Sequence, residues 1–224
     1  MKNVLKITPI EKAKTAKEIV YEELKTAIFR GDLRPDEYLT ETILAQSLNT
    51  SRTPVREAVS DLVKDGLLEA VPRKGLKVRE ISDEEKEQIF YLRISIEKEV
   101  LRRLVHQVTP DQIQEMRDII DEMRETIQKN DRIANIELDQ KFHRLFITFS
   151  GQNILGSVLS DIYNLTRLVG HAALGKTGRM EEVIEEHTEI VDALESKDEA
   201  FVLQKLEDHL LKTKESITKA QGNS

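Results

Sequence analysis

Asn49-Thr50-Ser51-Arg52-Thr53-Pro54-Val55-Arg56-Glu57-Ala58-Val59 reads as the entrance to a short helix. Ser51 is a suitable N-cap, and Pro54 falls in the first turn, where a missing N–H costs little. Val55, Val59, Leu62 and Val63 supply an inward face at helical spacing. Arg52 and Arg56, four positions apart, share another face beside the helix start. Helix N-termini favour anions, and guanidinium forks bind guanine O6/N7 or phosphate. A helix led by Ser51, Arg52, Thr53 and Arg56 therefore suits the major groove of double-stranded DNA, with Glu57 and Asp61 turned away from the groove floor. The plain alternative, two solvated helix arginines, has to be judged from the neighbouring sequence.

Those neighbours complete a module. Ile19, Val20, Leu24, Ala27 and Ile28 recur at helical spacing after a polar arm of about a dozen residues, and Gly31-Asp32-Leu33-Arg34-Pro35 ends that helix. Thr40 caps a short second helix with Ile43, Leu44 and Leu48 on one face. After Gly66, Leu67–Val71 and Leu76–Arg79 read as strands around the basic turn Pro72-Arg73-Lys74-Gly75. Three helices followed by a hairpin is the winged helix-turn-helix order. A capping box at Ser82-Asp83-Glu84-Glu85 opens a new helical region, which places the domain boundary near residue 80, with units 1–80 and 81–224. Beyond it, Thr109-Pro110 starts a helix, and Gly151-Gln152-Asn153, Gly175-Lys176-Thr177-Gly178 and Ser196-Lys197-Asp198 are breaks. The expectation is a mainly α protein whose C-terminal unit is a bundle of about six antiparallel helices.

Composition agrees with this division. Nine Gly and five Pro in 224 residues favour long helices over a many-stranded sheet. The net charge of −7 is uneven: 15 Lys+Arg stand against 13 Asp+Glu through Glu80, and 19 against 28 after it. The absence of cysteine excludes disulfides and thiolate metal sites. No run of about 18 apolar residues occurs, so no membrane span or signal peptide is expected and the location read from the sequence is cytoplasmic.

S-R-T-P-V-R-E-A at 51–58, with Asp65-Gly66-Leu67-Leu68 and Pro72-Arg73-Lys74-Gly75 behind it, resembles the DNA-binding domain of the GntR family of bacterial regulators over residues 15–80. The resemblance implies a homodimer on a short palindromic operator. Ser51, Arg52, Thr53 and Arg56 would lie on the recognition helix, and the wing tip, Arg73, Lys74 and Gly75, would reach the minor groove. Thr42 stands where family members often carry an arginine, and Pro35-Asp36 replaces a Pro-Gly turn.

In the second unit, Asp139 and His143 are spaced i,i+4 beside Phe142 and Phe146. His187 lies among Val183, Ile184, Ile190 and Val191, and His209 among Leu203, Leu206, Leu210 and Leu211. Each histidine alone reads as a hydrogen-bonded core residue. Together, one carboxylate and three imidazoles form an N/O donor set for a divalent metal such as Zn²⁺, Ni²⁺ or Mn²⁺. D-x3-H followed by two single histidines resembles the FCD ligand-binding domain of the FadR subfamily of GntR regulators, over about 83–220. That resemblance implies that Asp139, His143, His187 and His209 hold the cation and that a small organic acid completes its shell. It also places Arg93 in the effector pocket; the competing reading of Arg93 is an ion pair with Glu97. Arg167 and His171 are further candidates for the cavity wall. The function expected is a transcription regulator, a repressor, modulated by the acid. The alternatives are a metal-dependent enzyme acting on a small acid, for which no general base is evident beside the four ligands except Glu186 next to His187, and a regulator whose second unit is purely structural.

Overall fold

The computed structural model describes residues 13–173 and 178–221. The arm expected over the first dozen residues, and Gly175-Lys176-Thr177 of the expected break, lie outside them. Helix α1 (Ala16–Arg30) opens with a reciprocal Thr15–Glu18 capping box and ends at Gly31 in the left-handed conformation. Helix α2 (Glu41–Ser47) is capped by the Thr40 hydroxyl. Helix α3 (Arg52–Lys64) buries Val55, Ala58, Val59 and Leu62. Ser51 occupies the N-cap position of α3, but its hydroxyl makes no capping hydrogen bond.

Strands β1 (Leu68–Val71) and β2 (Gly75–Val78) pair antiparallel, with Leu68 opposite Val78 and Val71 opposite Gly75. The hairpin thus begins and ends slightly differently from the sequence pattern, because Gly75 enters the ladder and Arg73 takes the positive-φ turn position. Leu39 adds a one-residue bridge to Leu76, donating and accepting at 2.7 and 2.8 Å. This close approach accounts for Gly75: its φ is 114°, and a Cβ there would collide with the Leu39 carbonyl oxygen.

The second unit consists of α4 (Asp83–Leu104), α5 (Pro110–Gln128), α6 (Arg132–Ser150), α7 (Asn153–Ala173), α8 (Arg179–Glu195) and α9 (Glu199–Gln221). The capping boxes at Ser82–Glu85 and Thr109–Gln112 form, with Pro110 in the first turn of α5. Helix α4 packs on α6, α7 and α9; α5 packs on α6 and α8; and α8 packs on α9. These helices enclose a core of its own that includes Phe90, Leu101, Met116, Phe142, Phe146, Ile190 and Leu206. The N-terminal helices and wing close a separate core around Leu24, Val55, Leu62 and Leu67. Helices α1 and α7 connect the two: Leu168 packs against both cores, and the Arg167 guanidinium lies 4.0 Å from the centre of the Phe29 ring.

Gly75→Ala is expected to cost at least ~1 kcal/mol through its positive φ, before the collision with Leu39 is counted. Hydrogen exchange should show faster exchange at the Leu39 and Leu76 amides with the bundle amides unchanged; retained protection at both would contradict the steric assignment.

Candidate functional site

The first site is a surface. Arg52 and Arg56 project from the start of α3 with side chains 60% and 66% exposed, and no acidic residue occupies that first turn. Both lean on Glu41 of α2: Arg56 Nε donates to Glu41 Oε2 at 3.2 Å, and Arg52 Nη2 donates to the same oxygen at 3.4 Å. Thr42, Ser51 and Arg52 line one shallow groove between α2 and α3, together with Gln46, Asn49 and Thr50. Thr53 is exposed beside them. Asp61 faces Lys17 of α1 at 2.5 Å and Lys64 at 3.3 Å. On the wing, Arg73 and Lys74 are exposed, and Lys74 rests over the Tyr38 ring and donates to its hydroxyl at 3.3 Å. Glu41 escaped the sequence reading because its partners lie 11 and 15 residues away on another helix.

The second site is buried. Helix α6 contributes Asp139 and His143, α8 contributes His187 and α9 contributes His209. One candidate ligand atom from each lies within 4.8 Å of all the others. His143 Nε2 and His209 Nε2 are 3.2 Å apart, and Asp139 Oδ1 is 3.4 Å from His187 Nε2 and 4.0 Å from His143 Nε2. The three imidazoles are closed off from solvent, and His187 stacks on Phe142 at 4.1 Å.

Two carboxylates stand behind this cluster. His143 Nδ1 lies 2.6 Å from Glu97 Oε2, while Arg93 Nε donates to Glu97 Oε1 at 2.8 Å. His209 Nδ1 lies 2.7 Å from Glu186 Oε2, and Arg179 grips both oxygens of Glu186 through Nη1 and Nη2, at 2.7 and 2.8 Å. Burial would raise the Glu97 carboxyl, but Arg93 and His143 hold it down to about 2. Burial likewise opposes ionisation of Glu186, and His209 and Arg179 bring it to about 2. Burial lowers His209, and burial with neighbouring His209 and His143 pushes His187 well below the ordinary imidazole value.

An ionised carboxylate only accepts, so Nδ1 of His143 and of His209 must donate, which leaves Nε2 of each, when neutral, with a lone pair facing the other. Two acceptors 3.2 Å apart require a proton or a cation between them. Both ring nitrogens of His187 lack a hydrogen-bond partner among the described residues, an arrangement that is costly in a closed core without a ligand. The donor set fits a divalent ion.

Beside the cluster lies a small cavity, with ≈50 Å³ open to water-sized molecules, whose wall includes Arg93, Asn135, Asp139, Gln140, Thr166, Arg167, Arg179 and Thr213. Arg93 pairs with Glu97 and also lines the cavity, 2% exposed. Arg167 lines the same cavity, pairs with Glu137 and stacks on Phe29. The His171 side chain lies outside the described residues. Glu186, the acidic residue next to His187 that the enzyme reading could use as a base, is held by Arg179 and His209. Arg179 was the clearest omission. It continues the inward stripe Arg179-Val183-Glu186-His187-Ile190 of α8, where a charged residue at a core position signals a buried partner.

The family model described as "Bacterial regulatory proteins, gntR family" matches residues 16–78, and that of the FCD domain matches residues 88–212. The chain is 30% identical to the HTH-type transcriptional regulator YdhC of Bacillus subtilis, across 82% of this chain and 83% of that protein. It is 24% identical to the HTH-type transcriptional repressor RspR of Escherichia coli, across 94% and 92%. Among solved structures, E. coli McbR/YncC superposes with a TM-score of 0.80 at 22% identity, covering 92% of this chain and 99% of that one. With a winged helix on one side and a helical His/Asp bundle on the other, the chain belongs to the GntR family of bacterial transcription regulators, in the group that carries an FCD domain.

Proposed function

We propose that the protein is an operator-binding repressor that acts as a homodimer and responds to a small organic acid bound in the cavity of its FCD domain. The observation that carries this reading is the cavity wall. Asp139 belongs both to it and to the histidine cluster, Arg93 presents a guanidinium to it, and Arg167 extends from it to Phe29 in the DNA-binding unit. A divalent ion on Asp139, His143, His187 and His209 would supply a Lewis-acidic anchor for a carboxylate. Arg93, with Nε committed to Glu97, has the remainder of its fork for an anion. Asn135, Gln140, Thr166 and Thr213 add polar contacts around an otherwise apolar wall of Ile136, Val183 and Ile217.

Ser51, Arg52, Thr53 and Arg56 would read the major groove, Thr42 would stand at its edge, and Arg73, Lys74 and Gly75 would carry the wing to the neighbouring minor groove. A palindromic operator needs two such modules at a fixed spacing, which is the reason for the second copy. An acid that draws Arg167 toward the cavity weakens its stacking on Phe29 and loosens the α1–α7 contact, so the modules lose their register.

Three outcomes follow. Arg56→Ala should cost ~1–3 kcal/mol of operator affinity and relax discrimination against a scrambled duplex in a salt-controlled anisotropy titration using DNA from upstream of its own gene. Undiminished discrimination would refute the assigned role. Dialysed wild-type protein should hold one divalent ion per chain, and His143→Ala or His187→Ala should lose it, as read by elemental analysis; a stoichiometry unaffected by these changes would place any metal elsewhere. With Zn²⁺ present, a panel of mono-, di- and tricarboxylates should contain at least one that releases operator from the wild type, and Arg167→Ala should lose most of that response. An equal response in the variant would rule out Arg167 as the link, whereas a silent panel would count against acid regulation itself.

A further inference from the structure

The buried cluster rests on two chains of contacts, one ending on His143 and the other on His209. One runs from Arg93 through Glu97 to His143, with contacts of 2.8 and 2.6 Å. The other runs from Arg179 through Glu186 to His209, with a bidentate grip at 2.7 and 2.8 Å and a final contact of 2.7 Å. Both glutamates and both arginines are buried. Glu97 gives Oε1 to Arg93 and turns Oε2 to His143 Nδ1, whereas Glu186 gives both oxygens to Arg179 and shares Oε2 with His209 Nδ1. No comparable carboxylate meets the Nδ1 of His187 among the described residues.

We propose that Glu97 and Glu186 are positioning residues for the metal, which hold His143 and His209 as Nδ1–H tautomers with their Nε2 lone pairs directed into the cluster, while Arg93 and Arg179 keep the two glutamates in place. The inference rests on the metal reading above and adds to it the residues that set ligand geometry. A carboxylate hydrogen-bonded to a ligating imidazole fixes its orientation and raises its basicity, and loss of such a partner weakens metal binding by about 10–100-fold. The arginines keep the carboxylates from standing as uncompensated charges in an apolar core. The three histidines are therefore unequal: His143 and His209 are preset, and His187 is oriented by packing on Phe142.

The test has two arms. In the first, Zn²⁺ affinity of the full chain is measured by competition with a chromogenic chelator at fixed pH, for wild type, Glu97→Gln and Glu186→Gln, with far-UV spectra and melting of the metal-free forms as folding controls. Each variant should bind about 10–100-fold more weakly than wild type while remaining folded. Folded variants within twofold of wild type would overturn the proposal and leave the metal reading standing. Failure of wild type to bind Zn²⁺, Ni²⁺ or Mn²⁺ would overturn both. Because a glutamine at position 97 leaves the buried Arg93 guanidinium without its charge partner and could unfold the chain, the second arm uses wild type alone. Histidine ¹⁵N spectra of the metal-free protein should show Nδ1 protonated in His143 and His209, and their Nε2 resonances should move on addition of Zn²⁺. Nε2–H as the neutral tautomer of either residue would overturn the assignment whatever the variants do.

Discussion

Inside the bundle, two guanidiniums, two carboxylates and three imidazoles are buried together. An isolated charge in such a place costs several kcal/mol, so each must be answered by another group of the protein. The answers run across helices: Arg93 and Glu97 from α4 meet His143 of α6, and Arg179 and Glu186 from α8 meet His209 of α9. Apolar packing alone tolerates small slides of one helix past another. A chain of hydrogen-bonded charges does not, because a misplaced partner leaves the full desolvation penalty of the other. The polar core therefore fixes the mutual placement of four helices and presents a defined donor set at their centre.

The same residues form the boundary of the cavity, so what occupies it acts on a network that is already committed. Arg93 and Arg179 sit between the cavity and the cluster, whereas Arg167 sits between the cavity and the winged helix. The connection between the two units is narrow, centred on Arg167, Leu168 and the α1–α7 contact. A narrow contact is easily biased. Coupling of ~1–3 kcal/mol is the usual size of an allosteric interaction, and it is comparable to the worth of a desolvated cation–π contact supplemented by an ion pair. The arrangement supports a switch in which a modest rearrangement at one guanidinium is enough.

Much of this architecture was legible because it depends on local rules. Thr15, Thr40, Ser82 and Thr109 announce helix starts, and Gly31, Gly66 and Gly151 announce ends, through backbone needs that the sequence states directly. Asp139, His143, His187 and His209 were visible as polar residues on apolar stripes. What stayed hidden depends on pairing across long separations. Glu97 read as the i,i+4 partner of Arg93, and that pair exists, but its contact to His143 spans 46 residues and has no signature in spacing. Glu186 invited a catalytic reading because it adjoins His187, yet it points to His209, 23 residues on. Adjacent positions on a helix face different directions, which separates neighbours in sequence and joins strangers in space.

Electrostatics explains how an acidic chain can present a DNA-reading surface. The net charge of −7 arises from the second unit, while the basic side chains proposed to meet the operator lie on α3 and the wing. At physiological ionic strength the Debye length is about 8 Å, so exposed carboxylates a helix or more away are largely screened from the phosphates. The nearer acid, Glu41, is a partner rather than an obstacle: its contacts to Arg52 and Arg56, at 3.4 and 3.2 Å, are partly exposed ion pairs. Pairs of that kind are worth ~0–1 kcal/mol, less than a bidentate contact to guanine at ~1–3 kcal/mol, so the arginines can exchange one for the other at a net gain. Glu41 limits the rotamers of two long side chains, which would reduce the entropy lost if they meet a groove as proposed.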